Sequence, residues 1–205
     1  MKLHIGVAAL DHCATPFAGA LASMMGTKQT WRKFAAGDPK PMSLSLGIHQ
    51  GSNYCDARNA LAQQALETNA DAILFLDSDM VFPNDTPTRL AAHRSPIVGA
   101  TYCTRNPSGA NRVLGTSLDG DPLELGNAAP LLPVLDLPMG CMFIRTEVFK
   151  LLPFPWFRYP MTDTWTRSED VYFCHRAREA KYQIMCDTKL SRELGHVGQF
   201  TYRIT

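Results

Sequence analysis

The sequence predicts a single α/β domain with a mixed, mainly parallel sheet flanked by helices, and three features predict this fold class. Residues 72–76 form an unbroken apolar run, which is typical of a strand buried on both faces of a parallel sheet. Apolar residues alternate with small or polar ones over 42–48, which indicates another strand. Between these two stretches Ala57, Leu61 and Ala65 recur at helical spacing. Such strand–helix–strand units build parallel sheets.

The other elements follow from the same periodicities and from turn residues. The spacing of Thr166 and Glu169 is that of a capping box and predicts a helix start. The stretch 112–125 contains Asp-Gly-Asp between two apolar segments and predicts a hairpin. We expect the remaining strands over 3–10, 72–83, 96–102, 140–145 and 183–186. We expect helices over 17–25, 51–69, 84–93, 146–152 and, starting from the capping box, 166–181.

Composition limits the class of protein. The 205 residues are 45% hydrophobic and 19% charged, which is ordinary for one globular domain. A net charge of +1 gives no strong electrostatic footprint for nucleic acid. The six cysteines are scattered without a C-x-x-C pair, which indicates buried thiols in a reduced, cytoplasmic protein. The apolar N-terminal stretch is too short for a membrane span, so we expect none.

Two carboxylates, those of Asp77 and Asp79, directly follow the apolar run. Open α/β sheets bind their ligands at the carboxyl ends of strands. Adjacent acids repel each other and need a compensating charge, for which a divalent cation is the usual choice. The pair therefore marks a candidate metal site. The alternative is that both are turn and helix-cap residues after an ordinary strand.

Further polar residues have both functional and structural interpretations. Arg58 lies near a helix start, where the macrodipole disfavours it, so we expect a ligand partner unless it is a solvated surface residue. Glu169 and Asp170 open a helix, where acids are favoured for structural reasons alone. His196 is flanked by glycines, although a lone histidine is more often structural. Gly140 allows the close approach of a ligand or forms a β-bulge.

In this order the motifs resemble those of the GT-A glycosyltransferases, family 2-like members in particular, and the compact enzymes of bacteriophages and bacteria. The resemblance spans nearly the whole chain. The matching segments are Ala57-Arg58-Asn59, Asp77-Ser78-Asp79 (a DxD motif), residues 97–100, residues 140–145, Ser168-Glu169-Asp170-Val171 and Gly195-His196.

The resemblance implies a Rossmann-like GT-A fold that transfers a sugar from a nucleotide-diphosphate sugar to an acceptor hydroxyl. Residues 1–100 would form the nucleotide-sugar-binding half and residues 101–205 the acceptor and catalytic half. Mn²⁺ or Mg²⁺ held by Asp79, with help from Asp77 and His196, would neutralise the diphosphate.

The resemblance also implies roles for individual residues. Asp170, next to Glu169, would accept the acceptor proton in an inverting reaction. The acceptor would be a glycan, a lipid-linked sugar, a protein or a modified DNA base. The donor would contact Ala9, Asp11, Arg58, Asp77, Ser78 and Asp79. The acceptor side would be lined by Gly140, Trp156 and Trp165, the two tryptophans lying in an aromatic loop that either stacks on a ligand or forms a core flap.

Three other classes of protein remain open. Residues 74–81 also fit the nucleophile motif of haloacid dehalogenase-type phosphatases, with Asp77 as nucleophile and Asp79 as acid/base, although that motif normally lies on the first strand. A nucleotidyltransferase needs a glycine-rich phosphate loop after the first strand, and residues 8–16 contain none. A non-catalytic nucleotide- or sugar-binding module is the third.

Overall fold

A computed structural model describes residues 1–32, 37–51, 53–108, 110–162, 165–166 and 168–204, with the backbone alone at 161–162 and 165–166. The strands are β1 (Lys2–Ala9), β2 (Thr30–Trp31), β3 (Lys40–Pro41), β4 (Ser43–Gln50), β5 (Ala72–Asp77), β6 (Met80–Val81), β7 (Ile97–Gly99), β8 (Leu131–Val134), β9 (Cys141–Arg145), β10 (Met161–Thr162), β11 (Trp165–Thr166), β12 (Ile184–Asp187), β13 (Gly195–Val197) and β14 (Thr201–Tyr202). The helices are α1 (Thr15–Gly26), α2 (Tyr54–Glu67), α3 (Thr86–Ala92), α4 (Thr146–Leu151), α5 (Glu169–Glu179) and α6 (Thr188–Glu193).

The central sheet has seven strands in the order β4-β1-β5-β9-β7-β12-β8. Parallel pairing joins β1 to both β4 and β5, and joins β7 to β12. Strands β9 and β8 run against their neighbours. Five strands therefore share one direction, and the predicted mixed, mainly parallel sheet flanked by helices is confirmed.

Strand β5 lies inside this sheet and separates two layers of core. Each residue from Ala72 to Leu76 is at most 1% exposed, as the unbroken apolar run predicts. Ile73 and Phe75 pack with residues of α2, α4 and α5, whereas Leu74 and Leu76 pack with residues of α1, α3 and α6. Because side chains alternate along a strand, Asp77 emerges on the same face as Phe75, toward α2 and α5.

A second, small antiparallel sheet brings the C-terminal segment back to the DxD motif. Its strand order is β14-β13-β6, and Met80 of β6 pairs with His196 of β13. The amide of Val197 donates to the carbonyl of Asp79 at 2.7 Å. The predicted strand over 72–83 is thus divided by a turn at 78–79, and the turn faces His196.

The predicted hairpin over 112–125 is present in a short form. Ser117 N donates to Asp121 O at 2.8 Å and Leu123 N donates to Gly115 O at 3.0 Å, on either side of the antiparallel bridge Thr116–Pro122. The predicted capping box is wrong, because Ser168 is the N-cap and α5 begins at Glu169, whose side chain is buried.

Two sequence expectations concern the environment of the protein. All six cysteines are free, and five are buried while Cys13 is exposed, as expected for buried thiols. Within the part of the chain that the structure describes, the helices are too short or too polar to cross a bilayer.

Candidate active site

The polar residues meet at one edge of the sheet, where parallel strands end. Gln50 at the end of β4 pairs with Ala9 at the end of β1, and Ala8 pairs with Asp77 at the end of β5. Strand β9 runs the other way, so Gly140 precedes its start at the same edge and accepts a hydrogen bond from Asp77 N at 3.2 Å. This edge is the ligand-binding position of open α/β sheets.

Arg58 joins two acids that are distant in sequence. Its Nη2 lies 3.0 Å from Asp77 Oδ1 and its Nη1 lies 2.5 Å from Glu169 Oε1. The residue is only 3% exposed, so the interpretation as a solvated surface arginine is wrong. The alternation along β5 aims Asp77 at α2, and α5 packs on the same side of the sheet. The ion pairs therefore tie three elements together at the edge.

Burial and charge shift the pKa values of this cluster in opposite directions. Burial raises the pKa of Asp77, the Arg58 guanidinium works against that rise, and the charge of Asp79 adds to it. Burial likewise raises the pKa of Glu169, with Arg58 opposing and Asp170 adding. The guanidinium is thus the group that favours ionisation of both buried carboxyls.

The second oxygen of Asp77 faces Tyr102, and Gly140 leaves room for this contact. Tyr102 Oη lies 3.4 Å from Asp77 Oδ2. A Cβ on Gly140 would come within 2.4 Å of Tyr102 Oη and 2.9 Å of Asp77 Oδ2. Burial and the nearby Asp77 charge raise the pKa of Tyr102 well above its usual value, so its hydroxyl stays a donor. Gly140 is therefore explained by side-chain crowding at the base of the cleft.

Asp79 lies between Arg105 and His196. Arg105 Nη1 is 2.5 Å from Asp79 Oδ2, and His196 Nε2 faces the same oxygen at 3.5 Å. Burial acts to raise the pKa of Asp79, but the His196 imidazole and the Arg105 guanidinium outweigh it and lower that pKa. Asp79 is therefore a carboxylate at neutral pH.

The tautomer of His196 follows from its other contact. Nδ1 lies 2.9 Å from the carbonyl oxygen of Cys103, which can only accept, so Nδ1 carries the hydrogen. Nε2 is therefore the nitrogen that faces Asp79: when it carries a hydrogen it pairs with the carboxylate, and when it does not it offers a lone pair to a cation. The ring is held edge-on to Tyr102 with centroids 4.8 Å apart. A histidine that donates one N–H to a carbonyl and offers its other nitrogen is oriented as metal-ligating histidines are.

These two residues fit a divalent cation. Across the described ranges, three His, Cys, Asp or Glu side chains do not converge into a ready-made metal centre. Asp79 and His196 supply one carboxylate and one neutral imidazole, both acceptable to Mn²⁺, and substrate phosphates and water commonly supply the rest. Asp77 is turned toward Arg58 and Tyr102, and its predicted part in metal binding stays a prediction.

Asp170 is half-buried in the first turn of α5. Its Oδ1 accepts hydrogen bonds from Ser168 Oγ and from Val171 N, the latter at 2.7 Å. The neighbouring Glu169 is anchored to Arg58. This anchor fixes the start of α5, and with it Asp170, relative to the sheet edge.

The turn after β1 is tied to the DxD turn. Ser78 Oγ donates to the carbonyl of His12 at 3.3 Å, and Gln50 Nε2 donates to the carbonyl of Asp11 at 3.1 Å. Asp11 is exposed, whereas Ala9 is 7% exposed and its carbonyl accepts from Gly51 N at 3.0 Å. The predicted donor contacts thus lie at one edge, and the roles of Ala9, Asp11 and Ser78 stay predictions.

The aromatic loop corrects part of the predicted acceptor side. Trp156 is only 6% exposed, and its indole N–H donates to the carbonyls of Phe149 and Leu152, both at 3.0 Å. Its ring belongs to the core and is not available to stack on an acceptor. Among the described side chains of this loop, Phe154 and Tyr159 are exposed aromatics, and they lie beside a groove of about 800 Å³ between α2 and the loop. Trp165 lies in β11, and its side chain is outside the described residues.

The sequence interpretation gave no role to Tyr102 and Arg105. Both follow β7, which runs parallel to β5 and ends at the same edge. The position of an arginine just beyond a parallel strand was the available signal. These two residues also show that both halves of the chain contribute to the surroundings of Asp77 and Asp79.

Comparison with known proteins identifies the class of fold. The chain has the GT-A fold predicted from the sequence, and solved structures with this architecture cover its whole length. A197 from STIV aligns with a TM-score of 0.65 and 17% identity over 100% of this chain and 86% of that chain. GalNAc-T7, crystallised with UDP, GalNAc and Mn²⁺, aligns with a TM-score of 0.57 and 12% identity over 100% of this chain. No protein-family model and no curated protein matches the chain.

The comparisons also define what the chain shares with these proteins. It spans 44% of the GalNAc-T7 chain, so the activity of that protein does not transfer as a finding. The haloacid dehalogenase alternative loses its support, because the acid pair follows β5 and not the first strand, and Arg58 engages the proposed nucleophile Asp77.

Proposed function

We propose that this protein is a metal-dependent glycosyltransferase that moves a sugar from a nucleoside diphosphate sugar to an acceptor hydroxyl. The observation that carries the proposal is the approach of His196 Nε2 to Asp79 Oδ2, at 3.5 Å, beside the buried Asp77–Arg58–Glu169 cluster. GalNAc-T7, which shares the fold, was crystallised with UDP, GalNAc and Mn²⁺, and this supports the same class of donor here.

Asp79 and His196 are the residues that would hold the metal. A divalent cation bound there neutralises negative charge on a leaving diphosphate. The low pKa of Asp79 keeps it a carboxylate, and the contact of His196 Nδ1 with the Cys103 carbonyl turns Nε2 toward it. A cation that displaces the hydrogen from Nε2 would then have one oxygen and one nitrogen ligand from the protein.

The donor would lie along the edge formed by β4, β1 and β5. Asp77 is fixed from two sides by Arg58 and Tyr102, so its carboxylate is a rigid wall of the cleft. Asp11 and Ser78 lie on turns that contact each other, and they would contact the nucleoside. Rigid positioning of this kind lowers the entropic cost of reaching the reacting geometry.

Asp170 would act as the base. Its carboxylate takes the proton of the acceptor hydroxyl while the hydroxyl oxygen forms a bond to the anomeric carbon. The bond from that carbon to the diphosphate oxygen breaks, and the diphosphate leaves with the electron pair. Attack opposite the leaving group inverts the anomeric centre. Glu169 positions Asp170 through its ion pair with Arg58.

A thermal-shift experiment tests the proposal. UDP, GDP, CDP and ADP are each added with and without Mn²⁺, because a ligand at 100 times its Kd stabilises the folded state by about 2.7 kcal/mol. We expect at least one diphosphate to raise Tm only when Mn²⁺ is present. The Asp79→Asn variant should lose that shift, whereas Asp119→Asn, at an exposed position, should keep it.

Two results distinguish the proposal from its alternatives. If no diphosphate gives a metal-dependent shift, the proposed donor site is wrong. If a diphosphate binds but its nucleotide sugars are neither hydrolysed nor transferred, the protein is a binding module.

A further inference from the structure

Arg105 occupies the carboxylate that the proposed metal needs. Its Nη1 lies 2.5 Å from Asp79 Oδ2 and 3.1 Å from the carbonyl oxygen of Val197. His196 Nε2 faces that same Oδ2. A cation held jointly by Asp79 and His196 would lie beside the guanidinium. Two positive groups at one carboxylate oxygen repel each other, so metal binding and the Arg105–Asp79 ion pair exclude each other.

The surroundings of Arg105 allow its side chain to leave. The side chain is 45% exposed, and among the described residues its guanidinium is hydrogen-bonded only to Asp79 and to the carbonyl of Val197. Its stem passes over Gly198, where a Cβ would come within 3.2 Å of Arg105 Cδ. The backbone beside it is fixed, since Thr104 N donates to the carbonyl of Arg112 at 2.9 Å. The guanidinium can therefore swing on its long stem without moving the loop.

The balance of formal charge indicates where the guanidinium goes. Without ligands, the single positive charge of Arg105 balances the single negative charge of Asp79. A bound divalent cation adds two positive charges, and the diphosphate of a nucleotide sugar adds two negative ones. These additions cancel each other, so the negative charge of Asp79 still favours Arg105 nearby, and the planar donors of Arg105 suit phosphate oxygens.

We propose that Arg105 is a mobile counter-cation, which holds Asp79 until the metal enters and then binds the diphosphate of the donor. This inference rests on the proposed function, since it requires both the metal and the diphosphate. It assigns Arg105 as a donor-binding residue for this site. It also predicts that metal and nucleotide bind cooperatively, because the diphosphate provides a new partner for the displaced guanidinium.

The test separates the two steps in the Arg105→Met variant, which keeps the apolar stem and removes the charge. The first measurement is Mn²⁺ affinity without nucleotide, from the electron paramagnetic resonance signal of free Mn²⁺. We expect the variant to bind Mn²⁺ about two- to fivefold more tightly, as removal of a partly exposed ion pair allows. Arg112→Met removes an exposed arginine of the same loop and should match the parent protein.

The second measurement is the affinity for UDP, GDP, CDP and ADP at saturating Mn²⁺, by calorimetry. For whichever of these the parent binds, Arg105→Met should bind about tenfold more weakly, and Arg105→Lys should lie between the two. The opposite directions of the two effects distinguish this role from a general disturbance of the fold. Adding Asp79→Asn to Arg105→Met should abolish the gain in Mn²⁺ affinity.

Any other result of these two measurements overturns one part of the inference. Unchanged or weaker Mn²⁺ binding by Arg105→Met means that Arg105 does not compete for Asp79, while the proposed function stands. Unchanged diphosphate affinity means that the displaced guanidinium does not bind the donor. If neither the parent nor the variant binds Mn²⁺, or if the parent binds none of the diphosphates, the proposed site fails and this inference fails with it.

Discussion

The guanidinium of Arg58 lies 2.5 Å from the carboxylate of Glu169, although 111 residues separate them in the chain. The same guanidinium contacts Asp77 at 3.0 Å. One buried cation thus connects the DxD turn to the helix start that carries Asp170. The relationship makes the stability of the fold and the geometry of the candidate site depend on the same side chain.

Replacing Arg58 with methionine should destabilise the protein strongly. The change leaves two buried carboxyls without their counter-charge, and breaking a buried ion pair costs about 3–5 kcal/mol. Urea unfolding of Arg58→Met at pH 7 measures the loss. Arg112→Met, at an exposed position, should stay within about 0.5 kcal/mol of the parent. A loss below 1 kcal/mol for Arg58→Met would mean that the ion pairs contribute little.

Replacing Gly140 with alanine should disturb the contact between Tyr102 and Asp77. The added methyl meets both side chains at less than 3.0 Å, and overpacking of a filled site costs about 1–3 kcal/mol. We expect reduced stability. We also expect weaker binding, measured by calorimetry, of whichever nucleoside diphosphate raises the Tm of the parent protein in Mn²⁺. Gly19→Ala, in a helix where nothing lies within 4 Å, should be neutral or stabilising. Normal diphosphate affinity in Gly140→Ala would mean that the Tyr102–Asp77 contact plays no part in donor binding.

Asp187 should contribute a pH-dependent part of the stability. Burial acts to raise its pKa, but hydrogen bonds from His93 at 2.8 Å and from Leu190 N at 2.8 Å outweigh it and lower the pKa. Because the pKa is lower in the folded state, the Asp187 carboxylate stabilises the fold at pH values above its unfolded pKa of about 3.9. This stabilisation is lost as the pH falls through the folded pKa. Asp187→Asn, which preserves capping, should cost about 1 kcal/mol at pH 7.

The pH series supplies the check on that interpretation. The difference between the parent and Asp187→Asn, from urea unfolding at pH 7, 5 and 3, should shrink only at the lowest pH. A difference that is constant over the series would mean that the charge of Asp187 is not involved. Asp119→Asn, at an exposed position, should show no difference at any pH.

The sequence predicts those parts of the site that rest on local pattern. The apolar run before Asp77 is sufficient to identify a buried strand with acids at its carboxyl end, because each residue needs only its neighbours for that pattern. The helices that carry Arg58 and Glu169 were predicted for the same reason, although the start of α5 was placed too early. Their contact was not predicted, because it depends on α2 and α5 packing on one face of the sheet.

Long-range pairing and burial decide what the sequence pattern leaves open. His196 reaches Asp79 only through β6 and β13, and β6 is two residues long, too short to show a period. The aromatic loop is equally apolar whether it stacks on a ligand or fills the core. Tertiary packing places Trp156 in the core, where its N–H finds two carbonyls.

The reaction itself should depend on Asp170. Its carboxylate is held at the start of α5 by the Glu169–Arg58 ion pair, with Ser168 and Val171 bonded to one oxygen. A positioned base contributes about 10²- to 10⁴-fold to the rate, so Asp170→Asn should lower kcat by about that factor. Diphosphate affinity in Mn²⁺ should change little, because Asp79 and His196 are untouched. Glu179→Gln, at the exposed end of the same helix, should keep full turnover.

The stereochemistry of the product tests the same role by a different measurement. A base that activates the acceptor for attack opposite the diphosphate gives a product with inverted anomeric configuration. NMR of the product formed by the parent protein determines the anomer directly. Retained configuration, or near-normal turnover by Asp170→Asn, would exclude Asp170 as the base. Inversion together with a lowered kcat and unchanged donor affinity would place the proton transfer at this carboxylate, because loss of donor binding could not produce that combination.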